Sequence, residues 1–94
     1  RFEFTFDLSW KTIKIYLEEE EGIRCASPKQ CFREAYQQKL LSYDKFWLEM
    51  TDWRNQTSHT YNEKMAEAIY RILPKALRHF QTLHKALSLR HGKD

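Results

Sequence analysis

Glycine and proline are scarce, with two of each in 94 residues. A β-sandwich or barrel needs many tight turns, so this scarcity argues against one and for helices. No run of about 18 apolar residues occurs, which excludes a membrane-spanning helix. There are two cysteines, Cys25 and Cys31, six positions apart. That spacing is neither C-x-x-C nor a zinc pattern. The expectation is two free thiols in a reducing cytoplasm; a disulfide across a helix start is open but not needed. The chain also lacks a glycine-rich phosphate loop, H-E-x-x-H and G-x-S-x-G. It begins at Arg1 and not at methionine, directly before Phe2, Phe4 and Phe6. The chain therefore reads as opening inside a hydrophobic element, with an upstream segment to be expected.

What is present suits one small helical domain over residues 1–94. Aromatic residues make up 15% and hydrophobic residues 41%, enough for a core, while 31% charged residues supply solvated faces. Phe2, Phe4, Phe6, Leu8 and Trp10 alternate as a strand would, yet Phe2, Phe6, Trp10, Ile13 and Leu17 follow helical steps. The helical pattern persists past residue 10, so the spacing predicts a helix over 2–20, stopped by Gly22. Ser27-Pro28-Lys29-Gln30 is a capping box with proline at the first helical position, opening a helix over 28–39. That helix should bury Cys31, Phe32, Ala35 and Tyr36. After Leu41-Ser42-Tyr43, a third helix carries Phe46, Trp47, Met50, Trp53 and Arg54 at helical spacing. Thr57-Ser58-His59-Thr60 breaks it. Asn62 can cap a long fourth helix whose apolar line is Ala66, Ile69, Leu73, Leu77, Phe80, Leu83 and Leu87, with Pro74 expected to kink it. Four helices with short links make an all-α, antiparallel up-and-down helical bundle.

Charge is uneven. Residues 1–74 hold 11 Lys/Arg and 12 Asp/Glu, a net of −1, whereas residues 75–94 hold five Lys/Arg and one Asp, a net of +4. A basic end can attract RNA, DNA or an acidic protein, or simply be a solvated helix end. His79 and His84, five apart on one helix, point about 140° apart and cannot share a metal; both read as surface histidines. One stretch is richer in chemistry. Asp52 to Asn62 places a guanidinium, an amide, an imidazole and a phenol at the junction of two predicted helices. A junction lets residues five apart converge. Arg54 can hold a phosphate bidentately and His59 can exchange a proton near neutral pH. Together they could cleave RNA without metal, with His59 as general base or acid and Arg54 steadying the developing charge. The plainer reading of the same stretch is a capped, hydrogen-bonded turn.

These residues also carry a family likeness. Arg54, His59 and Tyr61 form R-x4-H-x-Y. The chain resembles the HEPN superfamily, in the branch of nucleotidyltransferase substrate-binding proteins. The blocks from Arg1 to Thr12, from Ser27-Pro28 to Arg33-Glu34-Ala35, and from Phe46 to Tyr61 match the family in order, over nearly the whole chain. The resemblance implies an up-and-down bundle that dimerises and a minimal nucleotidyltransferase (MNT) as partner; the cysteine reading adds a cytoplasmic location, and no metal or cofactor is expected. In some such pairs the HEPN member is a toxin, a metal-independent endoribonuclease, and the partner silences it by transferring AMP to the motif tyrosine. Carried over, Arg54 and His59 are the candidate catalytic pair, Asn55 a supporting residue, and Tyr61 the modified one. The alternative is a non-catalytic module that presents a nucleotide or other substrate to the nucleotidyltransferase. A third reading is a nucleic-acid-binding bundle using Lys75, Arg78, Lys85 and Arg90. The family carries a helix before the Arg1 block, so part of the apolar face at Phe2, Phe4, Phe6 and Trp10 should lie bare without it.

Overall fold

The computed structural model describes residues 2–91; Arg1, and Lys93 of the basic end, lie outside them. Four helices follow in order: α1 (Phe2–Glu21), α2 (Pro28–Gln37), α3 (Phe46–Thr57) and α4 (Glu63–His91). Among the described residues there is no strand. The expected all-α bundle is therefore present. Helix α1 packs against each of the other three, α2 against α3, and α3 against α4.

The local signals explain most boundaries. Gly22 ends α1 with φ of +66°, a left-handed conformation that costs glycine little. Ser27 caps α2 by accepting from Gln30 N–H, and the Gln30 side chain reaches back to Ala26 N–H. Asn62 caps α4 by accepting from Met65 N–H at 2.9 Å. One end differs from expectation. Helix α2 stops at Gln37, because Lys39 turns left-handed at φ 61°. Leu40 N–H and Lys39 N–H then close back onto the Ala35 and Tyr36 carbonyls, a C-terminal motif built without glycine. Helix α4 runs unbroken through Pro74.

The core is organised by aromatic rings. Phe2, Phe6, Phe32, Trp47 and Phe80 form a closed circuit that touches all four helices, with centroid separations from 4.9 to 6.5 Å. Such pairs add about 0.5–1.5 kcal/mol each beyond the apolar area they bury. Phe2 and Phe6 are thus interior, against the expectation that they would lie bare; on α1 it is Phe4, Leu8 and Ile15 that are exposed. The helical line of Phe2, Phe6, Ile13 and Leu17 dictates this, since it faces the other helices and leaves Phe4 on the opposite side. On α4, Leu77 is exposed and Ala76 takes the core position. The cysteines also correct the expectation of free thiols: Cys25 and Cys31 form a disulfide. The chain between α1 and α2 folds back over the first turn of α2, bringing the two Cα atoms to 5.2 Å with both side chains buried.

Candidate functional site

The last turn of α3 aims Arg54 at α1. Its Nε donates to Asp7 Oδ1 at 3.1 Å and Nη2 to Asp7 Oδ2 at 3.0 Å, a bidentate pair. Its Nη1 donates to Thr57 Oγ1 at 3.3 Å and Ser58 Oγ at 2.8 Å. Thr57 in turn donates its hydroxyl to the Arg54 carbonyl at 2.6 Å. A guanidinium has five N–H groups, and one, on Nη2, makes no hydrogen bond among the described residues, although the Glu3 charge also acts on the guanidinium. The pair is partly covered, with 27% of the Arg54 side chain and 32% of Asp7 exposed. The hydrogen bonds to Asp7 push the Arg54 pKa further up, so the fork is cationic throughout.

The other residues of the motif stand outside this clamp. The backbone keeps winding past α3: Ser58 N–H donates to Asn55, and His59 and Thr60 N–H donate to Gln56. The guanidinium is turned toward α1, the imidazole is exposed, and no hydrogen bond joins them. Asn55 is exposed, as is Tyr61 at 64%. Among the described residues, the side chains of Asn55, His59 and Tyr61 make no hydrogen bond. The structure thus gathers Arg54 with Asp7, Thr57 and Ser58, and leaves Asn55, His59 and Tyr61 open to solvent around the α3–α4 junction. Asp7 carried no local sequence signal, since its role depends on α1 meeting α3 across 47 positions.

A second polar cluster sits at the opposite end of α3. Asp44 Oδ1 accepts from Phe46 N–H at 2.9 Å, capping the helix. Its other oxygen meets His79 Nε2 at 2.8 Å, and His79 Nδ1 meets the Lys75 carbonyl at 2.9 Å. Both ring nitrogens face acceptors, so the ring is held at two points. The Phe46 N–H first, and His79 second, hold the Asp44 carboxyl below its usual range. The His79 ring packs on Phe46 at 4.6 Å and Trp47 at 5.6 Å. Tyr36 donates its hydroxyl to the Asp44 carbonyl at 2.6 Å, and burial pushes its pKa up to about 12. His79 is therefore a packed, paired residue and not the surface histidine expected; His84 is exposed as expected. Among the described residues, no group of three or more His, Cys, Asp or Glu side chains could hold a metal ion. None of the described helices is long and apolar enough to cross a membrane.

Comparison with known proteins follows the same lines. The family described as nucleotidyltransferase substrate binding protein like matches residues 1–89. The "Probable ribonuclease HepT" of Haemophilus influenzae (strain ATCC 51907 / DSM 11121 / KW20 / Rd) is 35% identical over 74 residues, 74% of this chain and 51% of that protein. The chain thus spans about half the length of this curated relative. A crystal structure of a Thermus thermophilus protein superposes with a TM-score of 0.86 at 43% identity, covering 93% of this chain and 75% of the other. The chain belongs to the nucleotidyltransferase substrate-binding branch of the HEPN superfamily.

Proposed function

We infer that this chain is the HEPN subunit of a nucleotidyltransferase pair and acts as a metal-independent endoribonuclease at the α3–α4 junction. The observation that carries this reading is the arrangement there: a cationic Arg54 fork fixed by Asp7, and five residues on an exposed His59 with no hydrogen-bond partner. In the reaction, His59 takes the proton of a ribose 2′-hydroxyl, whose oxygen attacks the adjacent phosphorus. The 5′-oxygen leaves, taking a proton from solvent, and a 2′,3′-cyclic phosphate forms, while Arg54 steadies the anionic transition state through its remaining Nη2 N–H. Asn55 supports the phosphate from the same turn.

A second copy of the chain completes the site. Arg54 and His59 of one protomer face different ways, so a two-fold axis at the junction sets each against its counterpart. Phe4 and Leu8, 71% and 57% exposed, flank Asp7 on α1 and give that contact an apolar rim. The partner nucleotidyltransferase silences the site through Tyr61: the phenol oxygen attacks the α-phosphorus of ATP, pyrophosphate leaves, and the phenol proton passes to the partner or solvent. The resulting anionic nucleotide, two residues from His59, blocks the junction and competes for Arg54.

The test is RNA decay in the presence of a chelator by wild type, Arg54→Ala and His59→Ala. Decay confined to wild type supports the reading, and equal decay in all three overturns it. Light scattering on the same preparations should give a dimer mass. Co-expression with the nucleotidyltransferase should add the mass of AMP at Tyr61. One observation favours the alternative, a module that presents substrate without cleaving it: four of the five Arg54 N–H groups are already taken. Nucleotide binding by calorimetry without RNA decay would select that alternative.

A further inference from the structure

The outer ridge of α4 carries a pattern that the junction does not use. From Ala68 to His91 the sequence holds no Asp or Glu. At about 100° per residue, Lys64, Arg71, Lys75, Arg78 and Lys85 fall within an arc of about 80°, which also holds one exposed carboxylate, Glu67, between Lys64 and Arg71. All five are exposed, and the arc faces away from the buried Ile69, Ala76 and Phe80. At about 1.5 Å per residue the row is about 30 Å long. Arg90, grouped with these cations on sequence alone, is not part of it. Its Nη1 donates to the Tyr16 hydroxyl at 3.1 Å and its Nη2 to the Lys39 carbonyl at 2.8 Å, which tie it to the body of the bundle.

The row has a beginning and a side pocket. It starts at Lys64, five residues after His59, in the first turn of α4. Further along, Lys75 Nζ rests 4.5 Å from the Phe46 ring. Arg78 borders a cavity of about 380 Å³ whose walls include Leu40, Tyr43, His79 and Thr82. Tyr43 is 71% exposed, with its ring set edge-on against Tyr36 at 5.2 Å. The one carboxylate in that wall, Asp44, is already paired with His79. A row of cations beside an exposed aromatic ring is how proteins hold single strands: phosphates sit on the charges and a base stacks on the ring. A duplex presents no unstacked base to Tyr43, and its grooves do not need one.

We propose that the outer ridge of α4, with Tyr43 and the cavity beside Arg78, binds single-stranded RNA and leads the strand to the α3–α4 junction. The delivery to the junction rests on the ribonuclease reading above; the binding does not. The experiment titrates fluorescent oligo(U) with His59→Ala protein, which should not cut it, over a series of salt concentrations. Five phosphate contacts give log K against log salt a slope of about −3.5, at about −0.7 per contact on a single strand. Replacing Arg71, Lys75 and Arg78 together by Gln should reduce the magnitude of that slope by about 2. Tyr43→Ala should weaken binding about 5- to 100-fold and leave the slope unchanged. These side chains are exposed, and matched melting curves check that each variant is folded. An unchanged slope in the triple variant would overturn the proposal. So would duplex RNA, or a poly-glutamate peptide of equal charge, binding as tightly as oligo(U). RNA bound along the ridge by a wild-type protein that cuts none would overturn the ribonuclease reading and keep the ridge. Undiminished cutting by the triple variant, in its His59 form, would keep the ribonuclease and overturn delivery along α4.

Discussion

The two ends of α3 are built from similar residues and come out differently. At its start, Asp44 and His79 are fully spent: the carboxylate caps the helix and pairs with the imidazole, and both ring nitrogens have acceptors. Phe46 and Trp47 cover the ring. At its end, Arg54 is clamped by Asp7, Thr57 and Ser58, but His59, Asn55 and Tyr61 have no side-chain partner and stand in solvent. A histidine paired with an acid is therefore a clasp at one end, and a histidine without a hydrogen-bond partner stands open to solvent at the other. Residue type does not distinguish them; saturation does.

The comparison can be broken most forcefully at the start of α3. Trp47 is 2% exposed and belongs to the aromatic circuit that joins all four helices. Trp47→Ala should lower stability by about 3–5 kcal/mol, read as a shift in the urea midpoint. A loss under about 1 kcal/mol would mean that the circuit does not organise the core. His79→Ala removes a charged hydrogen bond and the ring that fills the space against Trp47. Because Asp44 is part-exposed, the expected cost is about 2 kcal/mol, toward the lower end for a charged bond. At the other end, Asp7→Ala frees the Arg54 fork to solvent and should cost about 1 kcal/mol. His79→Ala costing less than Asp7→Ala would reverse the ranking of the two ends.

How much of this was legible in the sequence depends on range. The helices, the Ser27 and Asn62 caps and the Gly22 stop follow from signals within a few residues, and those elements formed where the spacing predicts. The end of α2 was misplaced because Lys39 takes a conformation usually given to glycine. The cysteine pair was misread for a related reason: six residues of irregular chain fold back, and no periodicity describes that fold. Asp7 and His79 were missed as partners because their roles arise only when α1 and α4 meet α3. The R-x4-H-x-Y stretch was visible at once, yet sequence suggested that Arg54 and His59 converge. The backbone keeps winding past α3, and no hydrogen bond joins the two side chains.

The smallest expected effect concerns pH. The Asp44 carboxyl is held below its usual range in the folded chain, so its contribution is complete above the ordinary carboxylate pKa. It is lost as pH falls through and below about 4. The urea midpoint of wild type should therefore drop between neutral and acid pH by more than that of Asp44→Asn. Parallel curves for the two proteins would show that the carboxylate does not secure the start of α3.

The claim that the end of α3, and not its start, carries the chemistry is tested most directly by single-turnover RNA cleavage in a chelator. Wild type, His59→Ala and His79→Ala would be compared at a temperature where all three are folded. The account predicts cutting by wild type and His79→Ala, and a loss of about 100-fold or more in His59→Ala. Equal cutting by all three proteins, or a loss confined to His79→Ala, would contradict it.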